Sequence, residues 1–131
     1  MKFYSTNNKA HKVSLREAVI QGLAPDNGLY MSESIQQLPA DFFKTLPAMS
    51  FPEIAFGVAK HLVGEEVSHA DLRKIVSHTI GFNAPLVQVE DNIFALELFH
   101  GPTLAFKDFG ARFMSQLLGH FARQQEREIM I

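Results

Sequence analysis

The sequence predicts an α+β domain, helices with a small antiparallel sheet, followed by the truncated start of an α/β domain. Three observations carry this expectation. Hydrophobic stripes at helical spacing, each opened by a capping signal, fill much of the first eighty residues. Two short β-prone segments bracket the first of these helices. After about residue 80 the texture changes to two strands, an apolar loop, one long amphipathic helix and a final apolar run.

Phe3-Tyr4-Ser5-Thr6 has the aromatic and hydroxyl content of a strand, and Asn7-Asn8-Lys9 ends it with turn residues. Ser14-Leu15-Arg16-Glu17 matches a capping box, in which the Ser hydroxyl and the Glu carboxylate satisfy backbone N–H groups left over at a helix start. With Gly22 as a stop signal, this predicts a helix over 14–22. Pro25-Asp26-Asn27-Gly28 is a turn, and Leu29-Tyr30-Met31 after it is a strand able to pair with the first. Pro39 opens a short helical turn running to Lys44. Ser50-Phe51-Pro52-Glu53 repeats the capping pattern, and Ile54, Val58 and Leu62 follow at four-residue spacing up to Gly64. Ser68-His69-Ala70-Asp71 opens another helix, with Leu72, Ile75, Val76 and Thr79 on one face before Gly81.

Leu86-Val87-Gln88-Val89 and Ile93-Phe94-Ala95-Leu96-Glu97-Leu98-Phe99 predict two strands joined tightly across Glu90-Asp91-Asn92. From Asp108 onward Phe109, Phe113, Leu117 and Phe121 recur every fourth position, which predicts a helix to about 123. A polar stretch over 124–128 leads into the apolar Ile129-Met130-Ile131. A strand, a helix and the first half of another strand make the beginning of a βαβ unit, so the chain is expected to be a truncated protein. The expected division is a domain over 1–80 and the incomplete start of a second over 81–131.

Whole-chain numbers exclude several function classes. The 131 residues carry 12 Lys and Arg against 14 Asp and Glu, a formal net charge of −2, with no long run of one sign, which argues against nucleic acid as a partner. No cysteine is present, and the N-terminus lacks an apolar targeting segment, which together point to the cytoplasm. No apolar stretch approaches the roughly 18 residues of a membrane-spanning helix. His11, His61, His69, His78, His100 and His120 never fall at the i, i+4 spacing of a helical metal pair, so no metal site is expected.

One segment carries chemistry. Between a strand and a helix, an apolar loop holds a single lysine, Lys107, flanked by Phe106 and Phe109. Desolvation disfavours an ammonium, and a helix N-terminus adds positive potential, so both would lower its pKa toward a reactive neutral amine. Such an amine forms Schiff bases readily. Asp108 at an N-cap would fix the backbone and offset some of that positive potential. Gly101-Pro102-Thr103 supplies a turn that lets backbone N–H groups approach a ligand, and Gly110 permits close packing in the helix's first turn.

The run Leu96-Glu97-Leu98-Phe99-His100-Gly101-Pro102-Thr103-Leu104-Ala105-Phe106-Lys107-Asp108-Phe109-Gly110-Ala111-Arg112-Phe113-Met114 resembles the cofactor-lysine segment of the threonine synthases. Met1 through Thr6, Val13 through Val19 with Gln21-Gly22-Leu23, and Asp26 through Tyr30 resemble that family's N-terminal domain. The resemblance implies a fold-type II architecture that binds pyridoxal phosphate (PLP), and a carbon–oxygen lyase converting O-phospho-L-homoserine and water to L-threonine and phosphate. It implies that Lys107 forms the aldimine with PLP and then serves as base and acid. Phe106 and Asp108 would flank the cofactor, while Gly101, Pro102 and Thr103 would shape the adjoining substrate pocket.

The same resemblance places the glycine-rich phosphate cradle, and the hydroxyl facing the pyridine nitrogen, beyond Ile131. The 131 residues alone are therefore expected to bind PLP poorly and to be inactive. Three competing expectations are a threonine or serine dehydratase of the same fold, a noncatalytic relative binding another phosphorylated metabolite, and a helical interaction domain. Without a sheet to cover it, the long helix is expected to expose Phe113, Leu117 or Phe121 and to favour self-association.

Overall fold

A computed structural model describes residues 1–123 and gives an α+β arrangement of five helices and two small antiparallel sheets. Strand β1 (Lys2–Ser5) lies between β2 (Lys12–Ser14) and β3 (Tyr30–Ser32), antiparallel to both, with Phe3 opposite Val13 on one side and Ser32 on the other. The first and third strands pair as the sequence predicts. The other edge strand, β2, is an addition: three residues are too few for a periodic signal, and Ser14 both ends the strand and caps the helix after it.

Helix α1 (Leu15–Gln21) has the full capping box, with the Ser14 hydroxyl accepting from the Glu17 N–H and the Glu17 carboxylate accepting from the Ser14 N–H. It ends at Gly22, whose φ of 72° suits glycine. The turn after it is pinned to β1. Ser5 is fully buried, its hydroxyl donates to Asp26 Oδ1 at 2.6 Å, and the Gly28 N–H donates to the same oxygen. A Cβ on Gly28 would lie 2.1 Å from Ser5 Oγ, so only glycine fits there.

Helix α2 (Ala40–Thr45) continues into a 3₁₀ turn, Leu46–Ala48. Helix α3 (Phe51–Val63) begins at the Ser50–Glu53 capping box with Pro52 in its first turn, where a missing N–H costs nothing. Helix α4 (His69–Thr79) is capped by Ser68, whose hydroxyl accepts from the Asp71 N–H. Strands β4 (Leu86–Glu90) and β5 (Ile93–Leu96) form an antiparallel hairpin turned by Asn92 at φ 63°, with every residue of both strands exposed. The predicted second strand is shorter than expected, since residues 97–106 leave the ladder for irregular backbone. Helix α5 (Lys107–Arg123) completes the described chain. The apolar run over 129–131 lies outside the described residues.

The core forms where α4 packs between α3 and α5 while α1 closes on α5. Leu72, Ile75 and Val76 of α4 meet Leu15 and Val19 of α1, Ala59 of α3, and Leu117 and Phe121 of α5. This corrects the expectation for the long helix. Leu117 and Phe121 are 3% and 2% exposed, because α1 and α4 cover the stripe that was expected to await a sheet, and Phe113 is half-buried against the same cluster. Exposed apolar side chains lie instead on the β4–β5 hairpin, on Phe99, Leu104 and Phe106, and at scattered positions such as Leu29, Ile35 and Phe43. No described helix is long and apolar enough to cross a membrane.

Removing the deepest aromatic tests this packing. Phe121→Ala is expected to cost about 3–5 kcal/mol, and Ile35→Ala, at an exposed position, less than about 0.5 kcal/mol. Urea unfolding of the two variants followed by circular dichroism measures the difference, and similar midpoints would show that α5 is not docked in the core.

Candidate functional site

Lys107 is the first residue of α5, and its side chain is exposed. The expected helix start is therefore present, but the expected desolvation is not: Phe106 is 70% exposed and Phe109 turns toward the helices. Phe109 meets Phe82 edge to face at 5.0 Å and Phe51 at 6.2 Å, so it anchors the start of α5 to the neighbouring elements and leaves the amine uncovered. The dry surroundings that would make Lys107 reactive are not supplied by the described residues.

Asp108 does not act as an N-cap. It is the second residue of α5, it is buried, and its carboxylate turns back to the preceding loop. Thr103 donates to it twice, from its backbone N–H to Oδ2 and from its hydroxyl to Oδ1, each at 2.8 Å. Gly101 is buried beside the same carboxylate, and a Cβ there would lie 2.4 Å from Oδ2. A carboxylate that accepts two such bonds closes the loop over 101–107 into a fixed shape. Inside that loop Leu104 sits at φ 55°, a left-handed conformation that costs a branched residue about 1–2 kcal/mol, and its N–H donates to the Gly101 carbonyl.

Thr103 and Lys107 open with Pro102, Asp108, Arg112 and His78 onto one hollow of about 420 Å³. Of the residues expected to form the site, Lys107, Asp108, Pro102 and Thr103 come together there, Gly101 lies beneath Asp108, and Phe106 does not line it. Two features were not anticipated. Arg112 reaches from α5 to the last carbonyls of α4, and His100 Nε2 lies 2.7 Å from a Glu97 carboxylate oxygen. The i, i+3 spacing of Glu97 and His100 was visible, but in irregular backbone spacing alone does not bring side chains together.

The residues present suit PLP in one respect. An accessible primary amine at the head of a helix, opening onto a hollow shared with Pro102 and Thr103, offers the attachment point.

Residues 2–80 match the family described as Threonine synthase N terminus. Among curated relatives, the chain is 43% identical over 118 residues to threonine synthase of Haemophilus influenzae, covering 90% of this chain and 27% of that protein. It is 36% identical to the Escherichia coli threonine synthase, covering 93% and 28%. Among solved structures it is similar to a PLP-bound threonine synthase from Brucella melitensis, with a TM-score of 0.89 and 35% identity over 98% of this chain and 29% of that one. The crystal structure of the E. coli protein gives a TM-score of 0.87 over 93% and 28%. The chain thus spans less than a third of the length of these relatives.

The carboxyl of Asp108 titrates below its ordinary 3.8: burial alone would raise it, but the two Thr103 donors and the nearby Lys107 ammonium outweigh burial. A depressed folded-state pKa contributes stability that is complete above the unfolded value and fades as pH falls through the folded one. Asp108→Asn loses the charge and one acceptor. In urea unfolding the variant is expected to be less stable at pH 7, with the gap to the native chain closing below pH 3.8. Equal midpoints at pH 7 would show that this junction adds nothing.

Proposed function

The chain belongs to the threonine synthase family, and from that premise we propose that the complete protein converts O-phospho-L-homoserine and water to L-threonine and phosphate. The observation that carries this is the exposed Lys107 amine at the head of α5, held by a loop whose shape Asp108 and Thr103 fix. In this proposal Lys107 Nζ holds PLP. When bound, PLP supplies an electron sink for charge developing at the substrate carbons. Freed by the substrate's amino group, Lys107 Nζ takes a proton from one substrate carbon and returns one to another, so a single group serves as base and then acid.

Gly101, Pro102 and Thr103 form the wall of the substrate pocket in this scheme. Asp108 keeps that wall at a constant distance from Lys107, because its two bonds tie it to Thr103 five positions earlier. Phe99, Leu104 and Phe106 would exclude water once the rest of the protein covers them, and that covering would supply the low-dielectric surroundings the lysine lacks in residues 1–123. Residues 1–80 then act as the N-terminal domain and 81–131 as the start of the cofactor domain. A chain without cysteine suits the reducing cytoplasm proposed for it.

Borohydride reduction of the complete protein, followed by peptide mapping, is expected to find the cofactor mass on the peptide containing Lys107. Lys107→Ala is expected to lower kcat by about 10²–10⁴-fold while the protein stays folded. A label on another lysine, or an active Lys107→Ala protein, overturns the proposal. The 131 residues alone are expected to bind PLP weakly, since the family resemblance places the phosphate cradle of backbone N–H groups after this stretch of sequence. A saturating absorbance change at stoichiometric PLP would contradict this.

A further inference from the structure

Helix α5 is unevenly anchored. Its C-terminal half is fixed by the buried Leu117 and Phe121, whereas the first half is held by the partly buried Phe109 and Phe113 and by Asp108, which bonds to the loop and not to another helix. Apolar packing resists separation of helices but is non-directional, so it sets the position of the helix head poorly. A directional contact is present one and a half turns after Lys107. The Arg112 guanidinium donates from Nε to the Thr79 carbonyl at 3.2 Å and from a terminal nitrogen to the His78 carbonyl at 2.5 Å.

Those two carbonyls belong to the last turn of α4, where no further helical N–H groups remain to satisfy them, and a cation there also meets the negative end of the helix dipole. The guanidinium lies 5.9 Å from the Phe82 ring, and Phe82 packs on Phe109. One side chain therefore joins the end of α4, the segment after it and the head of α5. The rise from Lys107 to Arg112 is about 7.5 Å, and both residues line the same hollow.

We propose that Arg112 is a positioning residue for Lys107: by capping α4 with a planar, two-pronged donor, it sets how far along its axis and at what rotation α5 presents the amine. The inference rests on Lys107 being the cofactor lysine. A lysine at 112 keeps the charge and can still donate to these carbonyls, but without the rigid fork that fixes their direction. A methionine fills a similar volume and satisfies neither.

The test uses the complete protein with PLP. Arg112→Met is expected to lower kcat about tenfold with KM within about threefold, as a small misplacement of a reacting group does. It is also expected to shift the pH midpoint of the cofactor absorbance band and to speed amide exchange at residues 80–82 and 107–111. Arg112→Lys is expected to fall between the variant and the native protein. Native kcat, band midpoint and exchange in Arg112→Met overturn the proposal, even if the melting temperature drops. Should Arg112→Met fail to fold, Arg112→Lys decides: a lowered kcat with a shifted midpoint supports the positioning role, and native values of both overturn it. Native protein with no cofactor on Lys107 overturns the parent reading and this one with it, whereas a loaded native protein beside an unaltered variant overturns this one alone.

Discussion

Leu117 and Phe121 leave water together with Leu15 and Val19 of α1 and with Leu72, Ile75 and Val76 of α4, and each large side chain so buried contributes about 1.5–3 kcal/mol. That burial does more than stabilise a helix. Residues 81–106 bring no buried apolar side chain of their own to the core, and the β4–β5 hairpin is exposed along both strands. A lone two-stranded hairpin is marginal in water. The docked half of α5 is thus what holds the far end of this segment against the rest of the chain. The placement of Lys107 follows from it.

Hydrogen bonds refine what burial begins. At the head of α5 three polar contacts act in different directions: Thr103 to Asp108 along the chain, Arg112 to α4 across it, and Leu104 to Gly101 within the loop. The strained φ of Leu104 persists because these contacts over-determine the loop.

Capping chemistry made the helices legible. Ser14–Glu17, Ser50–Glu53 and Ser68 each mark a helix start in local sequence, and the structure forms α1, α3 and α4 at those positions. The turn at Asp26–Gly28 and the pairing of β1 with β3 were legible for the same reason, since glycine and Asx residues act on their immediate neighbours. What stayed hidden lies far apart along the chain. The Glu65–Glu66 pair reads as a solvated helix end, yet Glu66 accepts from the Leu15 and Arg16 N–H groups and so completes the capping of α1 from fifty residues away. Arg112 likewise carries no local signal of a partner, and its contact appears only where α4 ends beside it. The stripe of α5 was visible as apolar, but periodicity says which residues need cover and not which elements give it.

The same distinction governs the lysine. Its neighbours in sequence, Phe106 and Phe109, suggested a dry pocket, but aromatic neighbours along a chain point in different directions once a helix begins: one is 70% exposed and the other packs on Phe82. Dryness is a property of what closes over a side chain, whereas orientation is a property of what lies beneath it. Residues 1–123 supply the second, through the carboxylate of Asp108, the fork of Arg112 and the buried stripe of α5. For the proposed activity the dry surroundings of Lys107 would come from elements that cover it and not from the amine's own segment. Orienting an amine and enclosing it are therefore separate tasks, and the described residues perform the first.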